Sequence, residues 1–263
     1  MSRSFLGLLG LVVAACAKPA VATNERDASA SVAAFDAAAT FDDDAAGPHS
    51  AMPEPVRIEG IDMHGDLRVL VLKGPHERRF AMVYLHGRCV YPGYYVESFQ
   101  NAAARYGDLI ALQGTGSCGG DGFLHTWSLD IDALDRRIDA ALRAADVPSS
   151  APRVLIGYSQ GADRAEALAA HSPAKYPAVV LIASSRPPSP VRLRGVRAAG
   201  LMAGTRDSQA NMREGLDALR RARVPTTFVP LTGAWHGHMG EEPEIEMGRA
   251  LAFVDEALFA RQP

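Results

Sequence analysis

The stretch Arg153-Val154-Leu155-Ile156-Gly157-Tyr158-Ser159-Gln160-Gly161 decides the fold of this chain. It starts with an apolar, partly β-branched run that predicts a buried strand, and it passes directly into Gly-Tyr-Ser-Gln-Gly. A proline-free segment rich in small residues follows over 162–171 and predicts a helix. A serine at such a turn is held in a strained conformation, while the flanking glycines let strand and helix approach closely. The stretch therefore predicts a nucleophile elbow centred on Ser159, which we prefer to a plain structural turn.

Composition predicts one globular domain with an extension. The chain has 263 residues, of which 48% are hydrophobic and 22% charged, and its formal net charge is -3. The mild acidity, together with the lack of a basic stripe with interleaved aromatic residues, argues against a nucleic-acid partner. The short run Arg192, Arg194 and Arg197 is interpreted as a solvated loop edge rather than a phosphate site.

The first 16 residues have the pattern of an export signal. One positive charge precedes a short apolar run that ends in small residues and is too short to span a bilayer. The ending Val13-Ala14-Ala15-Cys16 resembles a bacterial lipobox, which implies cleavage before Cys16 and its modification by acyl chains such as palmitate. The alternative is an ordinary signal peptide that is cleaved near Ala17. We expect an exported lipoprotein anchored in the bacterial cell envelope, on the outer membrane or facing the periplasm.

Residues 17–55 predict a disordered tether between the lipid anchor and the domain. They are rich in Ala, Ser, Asp and Pro, and Phe35 and Phe41 are their bulky side chains. Such a segment buries too little apolar surface to offset its ordering entropy. The triplet Asp42-Asp43-Asp44 is interpreted as solvated linker in preference to a calcium site. The folded domain is expected over 56–263.

Strands alternate with helices through the predicted domain. Strands are predicted over 56–63, 67–73, 80–85, 108–113, 153–158, 178–183, 198–203 and 226–231, and helices over 94–106, 130–145, 162–171, 208–222 and 244–261. This alternation predicts an α/β fold with a mostly parallel, twisted sheet and helices on both faces. The first two strands flank Gly65-Asp66 and predict an antiparallel hairpin at the sheet edge. No segment between strands is long enough for a large cap.

An elbow serine needs an imidazole to accept its proton and a carboxylate to orient that imidazole. In sheets of this kind the ligand crevice lies beyond the carboxyl ends of the strands, and the three residues follow in the order Ser, acid, His. Asp207 directly follows a predicted strand and is the candidate acid, although it also suits an N-cap of the next helix. Asp163 lies on the elbow helix and is expected to point away from the imidazole.

Two histidines compete for the role of base in the loop after the last strand. His236 is our choice and His238 is the alternative. A metal site formed by both histidines lacks an evident third ligand nearby, so no metal is expected. The backbone N–H groups of Gln160 and Arg88 are the expected oxyanion donors. His86, just before that second donor, is expected to support its loop rather than to titrate in catalysis.

Four motifs stand in the expected order and together resemble the α/β-hydrolase superfamily, in particular its small, cap-poor serine esterases and dienelactone-hydrolase-like members. They are His86-Gly87, Gly157-Tyr158-Ser159-Gln160-Gly161, Gly204-Thr205-Arg206-Asp207 and His236-Gly237. The resemblance covers about 56–261 and implies cleavage of an ester-like acyl bond in a small or acylated substrate, through an acyl-enzyme and without a cofactor. Dienelactone hydrolases proper use a cysteine where this chain has Ser159, so their lactone activity is not carried over.

The same parts also serve serine peptidases, thioesterases and acyltransferases, which remain alternatives. A further alternative from another class is a non-catalytic lipoprotein that uses the fold as a binding module. The presence of all three residue types in order favours the enzyme.

Cys89 and Cys118 are the cysteines of the predicted domain. Each closely follows a predicted core strand, and export would place both in an oxidising compartment. If the two strands are neighbours, both loops emerge at the same rim and the thiols can pair. We expect a disulfide between them; the alternative is two unlinked cysteines, one of them buried as a small apolar side chain.

Overall fold

The structure is a computed structural model that describes residues 56–74, 79–120 and 122–260. The predicted signal segment with Cys16 and the predicted tether over 17–55 lie outside the described residues. The strands are β1 (Ile58–Ile61), β2 (Val69–Leu72), β3 (Ala81–Leu85), β4 (Leu109–Leu112), β5 (Gly116–Ser117), β6 (His125–Thr126), β7 (Arg153–Tyr158), β8 (Ala178–Ile182), β9 (Ala198–Gly204) and β10 (Thr226–Leu231). The helices are α1 (Gly93–Val96), α2 (Gln100–Ala104), α3 (Ile131–Ala144), α4 (Gln160–His171), α5 (Ala210–Arg221) and α6 (Pro243–Phe259).

Eight strands form one mixed sheet in the order β1-β2-β4-β3-β7-β8-β9-β10. The β2 strand is antiparallel to both β1 and β4, and every other neighbouring pair is parallel. The predicted edge hairpin and the predicted mostly parallel sheet are thus confirmed. The central strands are buried on both faces, as their continuous apolar sequences require.

Each face of the sheet is covered by a helical layer. One apolar cluster joins the sheet to α3, α4 and α5, and a second joins the other face to α1, α2 and α6. In α3, Leu134, Ile138 and Leu142 lie on one buried stripe, and the Asp130 side chain caps the helix by accepting from the Ala133 amide at 2.9 Å. In the described part of the chain, no large cap covers the sheet, and no helix is long and apolar enough to cross a membrane.

Two local features differ from the sequence expectation. The single helix predicted over 94–106 is divided into α1 and α2. The Ser98 hydroxyl donates to the Tyr95 carbonyl at 2.6 Å, and the Ser98 and Phe99 amides bond three residues back rather than four, which closes the first helix early. The glycine-rich loop that follows β4 and begins at Gly114 also forms a short antiparallel hairpin, β5 with β6, that the sequence pattern did not indicate.

The elbow forms where α4 meets the end of β3. A Cβ atom on Gly161 would lie 1.9 Å from the Leu85 carbonyl oxygen and 2.6 Å from the His86 carbonyl oxygen, so only glycine fits. Ser159 has φ 50° and ψ -114°, a conformation that non-glycine residues rarely adopt. The close approach and the strained turn together hold the Ser159 side chain at the carboxyl end of the sheet.

We predict that Gly161→Ala lowers the free energy of unfolding by about 2–3 kcal/mol, because the added methyl group overlaps backbone atoms that cannot move independently. Gly248→Ala is the control. Its added methyl group would lie 4.0 Å from the nearest atom, inside helix α6, and should stabilise the protein by up to about 1 kcal/mol. Urea denaturation of both variants measures the difference. Equal stability of the two variants would refute the steric argument.

Candidate active site

Three side chains from separate loops form a hydrogen-bonded chain at the carboxyl edge of the sheet. The Ser159 hydroxyl lies 3.1 Å from Nε2 of His236, and Nδ1 of His236 lies 2.9 Å from Oδ2 of Asp207. Ser159 directly follows β7, Asp207 follows β9 and His236 follows β10. With Nδ1 protonated and donating to Asp207, Nε2 is free to accept from the serine. This arrangement can draw a proton from the hydroxyl and make its oxygen nucleophilic.

The Asp207 carboxylate is held by both of its oxygens. Oδ2 accepts from His236, while Oδ1 accepts from the Ser208 amide at 2.7 Å. Helix α5 begins at Ala210, and its N-cap residue is Gln209 rather than Asp207. Asp207 therefore orients the imidazole and does not cap the following helix, which was the alternative left open by the sequence.

The loop that carries His236 is fixed by Tyr158, the residue that precedes Ser159. The Tyr158 hydroxyl accepts a hydrogen bond from the Gly237 amide at 2.6 Å, next to His236. The Tyr158 ring stacks on Tyr95 with ring centroids 4.6 Å apart, and burial raises the pKa of Tyr158 above its usual value. The elbow thus positions the imidazole through the neighbouring backbone as well as through the serine.

His238, the alternative base, and Asp163, the acidic residue nearest to Ser159 in sequence, make other contacts. His238 accepts from the Gly240 amide through Nδ1 at 2.9 Å, and its ring stacks on Trp235. Asp163 accepts from the Ser184 and Ser185 hydroxyls at 3.2 and 2.8 Å. Neither is bonded to His236. Within the described ranges, no cluster of three or more His, Cys, Asp or Glu side chains could hold a metal ion.

Two backbone amides lie beside the serine. The Gln160 amide opens helix α4, where the first N–H groups have no acceptor within the helix. In the loop after β3, the Cys89 amide is engaged by the His125 carbonyl at 2.8 Å. The Arg88 amide donates to no other described residue. Gln160 and Arg88 both line the crevice at Ser159, so their amides are available to a negatively charged oxygen there.

His86 holds the Arg88 loop as a buried, neutral imidazole. Its Nδ1 donates to the Gly87 carbonyl at 2.6 Å, and its Nε2 accepts from the Gly114 amide at 2.9 Å, which requires an unprotonated nitrogen. Burial lowers the pKa of His86 to about 4. The indole N–H of Trp127 donates to the His86 carbonyl at 2.7 Å and fixes the backbone as well.

The same region holds the Gln160 side chain. Its Oε1 accepts from the Thr126 hydroxyl at 2.8 Å and from the Trp127 amide at 3.3 Å. Strand β6 and the residue after it therefore connect the start of α4 to the His86 loop. Both backbone amides beside Ser159 are positioned by one network.

A disulfide joins Cys89 to Cys118, with the two Cα atoms 5.6 Å apart. It links the loop after β3 to the glycine-rich loop after β4, and these strands are parallel neighbours in the sheet. Cys89 has φ 56°, so the chain turns sharply directly after Arg88. The covalent link at this turn and the bridge between Val90 and His125 directly after it tie the two loops together.

Ser159 opens into a crevice of about 530 Å³. Tyr95, Tyr158 and Val90 give it an apolar wall, and Asp163 and Ser185 give it a polar one. The crevice is open to solvent, since the His236 side chain is 53% exposed.

Strand order, helix placement and the elbow after β7 settle the fold. The chain has the α/β-hydrolase fold. Comparison with solved structures supports this, because TT1662 from Thermus thermophilus superimposes with a TM-score of 0.58 at 20% identity, over 79% of this chain and 100% of that one. A ferulic acid esterase gives 0.56 at 14% identity over 77% and 98%, and the Bacillus cereus carboxylesterase gives 0.53 at 17% over 70% and 93%. At these identities the comparison shows the fold alone. No family model and no curated sequence matches the chain.

The sequence interpretation missed five residues that hold the candidate site residues and their loops in place: Tyr158, Tyr95, Thr126, Trp127 and Gly114. Trp127 offered a weak signal, as one of two tryptophans in the chain and the one next to a predicted glycine-rich loop. Tyr158 stood in the elbow motif itself, but nothing in the sequence pairs it with Gly237.

We predict that His86 makes the folded state sensitive to acid. Its pKa is about 4 when folded and about 6.5 when unfolded, so between these values the unfolded chain binds more protons. Its contribution is fully present above pH 6.5 and is lost as the pH falls toward 4, by about 3 kcal/mol. The free energy of unfolding, measured against pH for the native protein and His86→Gln, should fall more steeply in the native protein. Parallel curves would contradict the assignment.

We predict that the cysteines of the domain are oxidised in the isolated protein. In a Cys16→Ser chain that is unfolded without reductant, thiol titration should find no free thiol, whereas two per chain would refute the bridge. The double variant Cys89→Ser/Cys118→Ser should lose about 3–4 kcal/mol of stability, because the bridge closes a loop with a sequence separation of 29 residues.

Proposed function

We propose that the protein is a serine hydrolase that cleaves ester bonds through an acyl-enzyme, with Ser159 as nucleophile, His236 as base and Asp207 as the orienting acid. The observation that carries this proposal is the continuous hydrogen-bonded chain from the Ser159 hydroxyl to the Asp207 carboxylate. The esterases among the structural neighbours are consistent with it.

In the acylation step, the Ser159 oxygen attacks the ester carbonyl carbon and its proton passes to Nε2 of His236. The carbonyl oxygen becomes an oxyanion that the Gln160 and Arg88 amides stabilise. Collapse of this intermediate expels the alcohol, which takes the proton from His236, and leaves the acyl group on Ser159. Asp207 stabilises the transient imidazolium.

Water completes the reaction. His236 removes a proton from a water molecule, which attacks the acyl carbon, and then returns that proton to the Ser159 oxygen as the carboxylic acid leaves. The crevice is open and His236 is half exposed, so water reaches the acyl-enzyme freely. This openness favours hydrolysis over transfer to a second substrate, since an acyltransferase must keep water from the same intermediate.

We also propose that the chain is exported and held at the bacterial cell envelope by lipid on Cys16. The signal pattern over 1–16 is the main support. The Cys89–Cys118 disulfide is a second support, because such bonds persist in oxidising compartments.

Labelling with a fluorophosphonate probe tests the mechanism. The native protein should be labelled and should hydrolyse p-nitrophenyl esters, whereas Ser159→Ala should remain folded, unlabelled and at least about 10⁴-fold slower. A folded native protein that is neither labelled nor active on a panel of chain lengths would overturn the proposal in favour of a binding module.

The histidine variants test the choice of base. His236→Ala should lower kcat by at least about 10⁴-fold, and Asp207→Asn by about 10³–10⁴-fold, with losses that do not add in the double variant because the residues act as a unit. His238→Ala is the matched control, since it removes an imidazole two residues away, and it should keep most of the activity. The reverse pattern would show that His238 is the base.

A further inference from the structure

Exposed apolar side chains are concentrated beside the crevice. The described chain exposes nine large apolar side chains, and five of them lie in the segments after β3, β4 and β10, at the edge of the sheet that carries Ser159. These five, here called the aromatic arc, are Tyr91, Tyr94, Phe123, Leu124 and Trp235. Single exposed apolar residues need no explanation, but a contiguous group at a functional opening marks a binding surface.

The first four members of the aromatic arc lie on two adjoining backbone segments. Val90 and His125 form an antiparallel bridge, which brings the backbone of Tyr91 near that of Leu124, and the Tyr94 amide donates to the Tyr91 carbonyl at 3.3 Å. Tyr94 lies one turn further along and packs edge-on against Tyr95, with ring centroids 5.0 Å apart. Tyr95 in turn lines the crevice. This part of the aromatic arc therefore borders the apolar wall.

Trp235 continues the aromatic arc on the other side of Tyr95. Tyr94 and His238 line a shared cavity of about 120 Å³, and Trp235 stacks on the His238 ring at 4.3 Å. Trp235 is 49% exposed and directly precedes His236. The aromatic arc thus follows one rim of the opening, and the polar wall with Asp163 and Ser185 forms the other.

We propose that the aromatic arc docks the crevice onto a lipid surface, and that the substrates are esters held within that surface. The inference rests on the proposed function and names its substrate class. Tyrosine and tryptophan have an apolar body and a polar tip, which suits the boundary between headgroups and acyl chains, while Phe123 and Leu124 add purely apolar area. The exposed Arg88 side chain at the opening suits lipid phosphates.

The expected lipid anchor argues for a lipid surface rather than another occupant. If the predicted tether over 17–55, about 40 residues long, behaves as a flexible coil, its root-mean-square span is roughly 35 Å. A domain tethered at that distance meets the membrane at high effective concentration, so a surface of modest apolar area is sufficient for docking.

Quenching of Trp235 by brominated lipid tests the docking directly. The mature full-length chain is reconstituted in phosphatidylcholine vesicles with brominated acyl chains. Trp127 is 5% exposed, so quenching should come from Trp235, and Trp235→Phe gives the background. We expect the fluorescence of Trp235 to fall at least twofold in the native protein. Tyr94→Ser/Leu124→Ser should remove most of that effect.

Phe259→Ser is the matched control. Phe259 is exposed at the end of α6, against Arg79 near the start of β3, at the end of the sheet opposite the crevice. This variant should be quenched like the native protein. Equal quenching of the two surface variants, or no quenching of native Trp235, would overturn the proposal. If Trp235 is not quenched and the native protein forms a dimer that Tyr94→Ser/Leu124→Ser does not form, the aromatic arc binds a second copy of the chain.

Turnover separates this inference from the proposed function. Tyr94→Ser/Leu124→Ser should hydrolyse soluble p-nitrophenyl acetate within twofold of the native rate and a vesicle-embedded long-chain ester at least fivefold more slowly. Equal loss on both substrates would overturn the docking role. If the native protein hydrolyses the soluble ester but Trp235 is not quenched, the hydrolase proposal is supported and the docking proposal is overturned. Quenching of Trp235 without turnover of either ester would support the lipid surface and overturn the proposed hydrolase function.

Discussion

The active site depends on one close approach, between the first turn of α4 and the end of β3. The missing side chain of Gly161 lets the helix backbone lie against the Leu85 and His86 carbonyls. This contact places the Gln160 amide beside the loop that carries the Arg88 amide, and it forces Ser159 into its positive-φ turn. A larger residue at position 161 would push the first turn of α4, with Ser159 and the Gln160 amide, away from the loop that carries the Arg88 amide.

The parallel sheet supplies the other two members of the hydrogen-bonded chain. Strands β9 and β10 end at the same edge as β7, so the residues after them meet Ser159 although they are distant in sequence. The sheet alone does not fix the exact positions of these side chains and backbone amides. Here the side chains of His86, Trp127 and Tyr158 act, because each bonds a backbone group next to a functional residue. Such second contacts hold the reacting groups within the narrow limits that catalysis requires.

Features set by local sequence could be predicted, and features set by contacts between distant segments could not. The elbow, Asp207 and His236 each follow an apolar run that identifies a strand end, so the edge of the sheet and its residues were evident. The bond from Tyr158 to Gly237 joins segments 79 residues apart, and that from Thr126 to Gln160 joins segments 34 apart. Nothing in either segment alone indicates its partner. The break between α1 and α2 was missed because a serine hydroxyl competes with the helix, which apolar spacing does not reveal.

The loops after β3 and β4 carry the proposed oxyanion donor, the Arg88 amide, and four members of the aromatic arc. The Cys89–Cys118 disulfide, the hydrogen bond from the Cys89 amide to the His125 carbonyl and the Val90–His125 bridge join these loops between Arg88 and the exposed Tyr91. The described chain has no large cap to exclude water while the ester bond is broken. Under the docking proposal the lipid surface faces this opening, on the side where a cap lies in a closed active site.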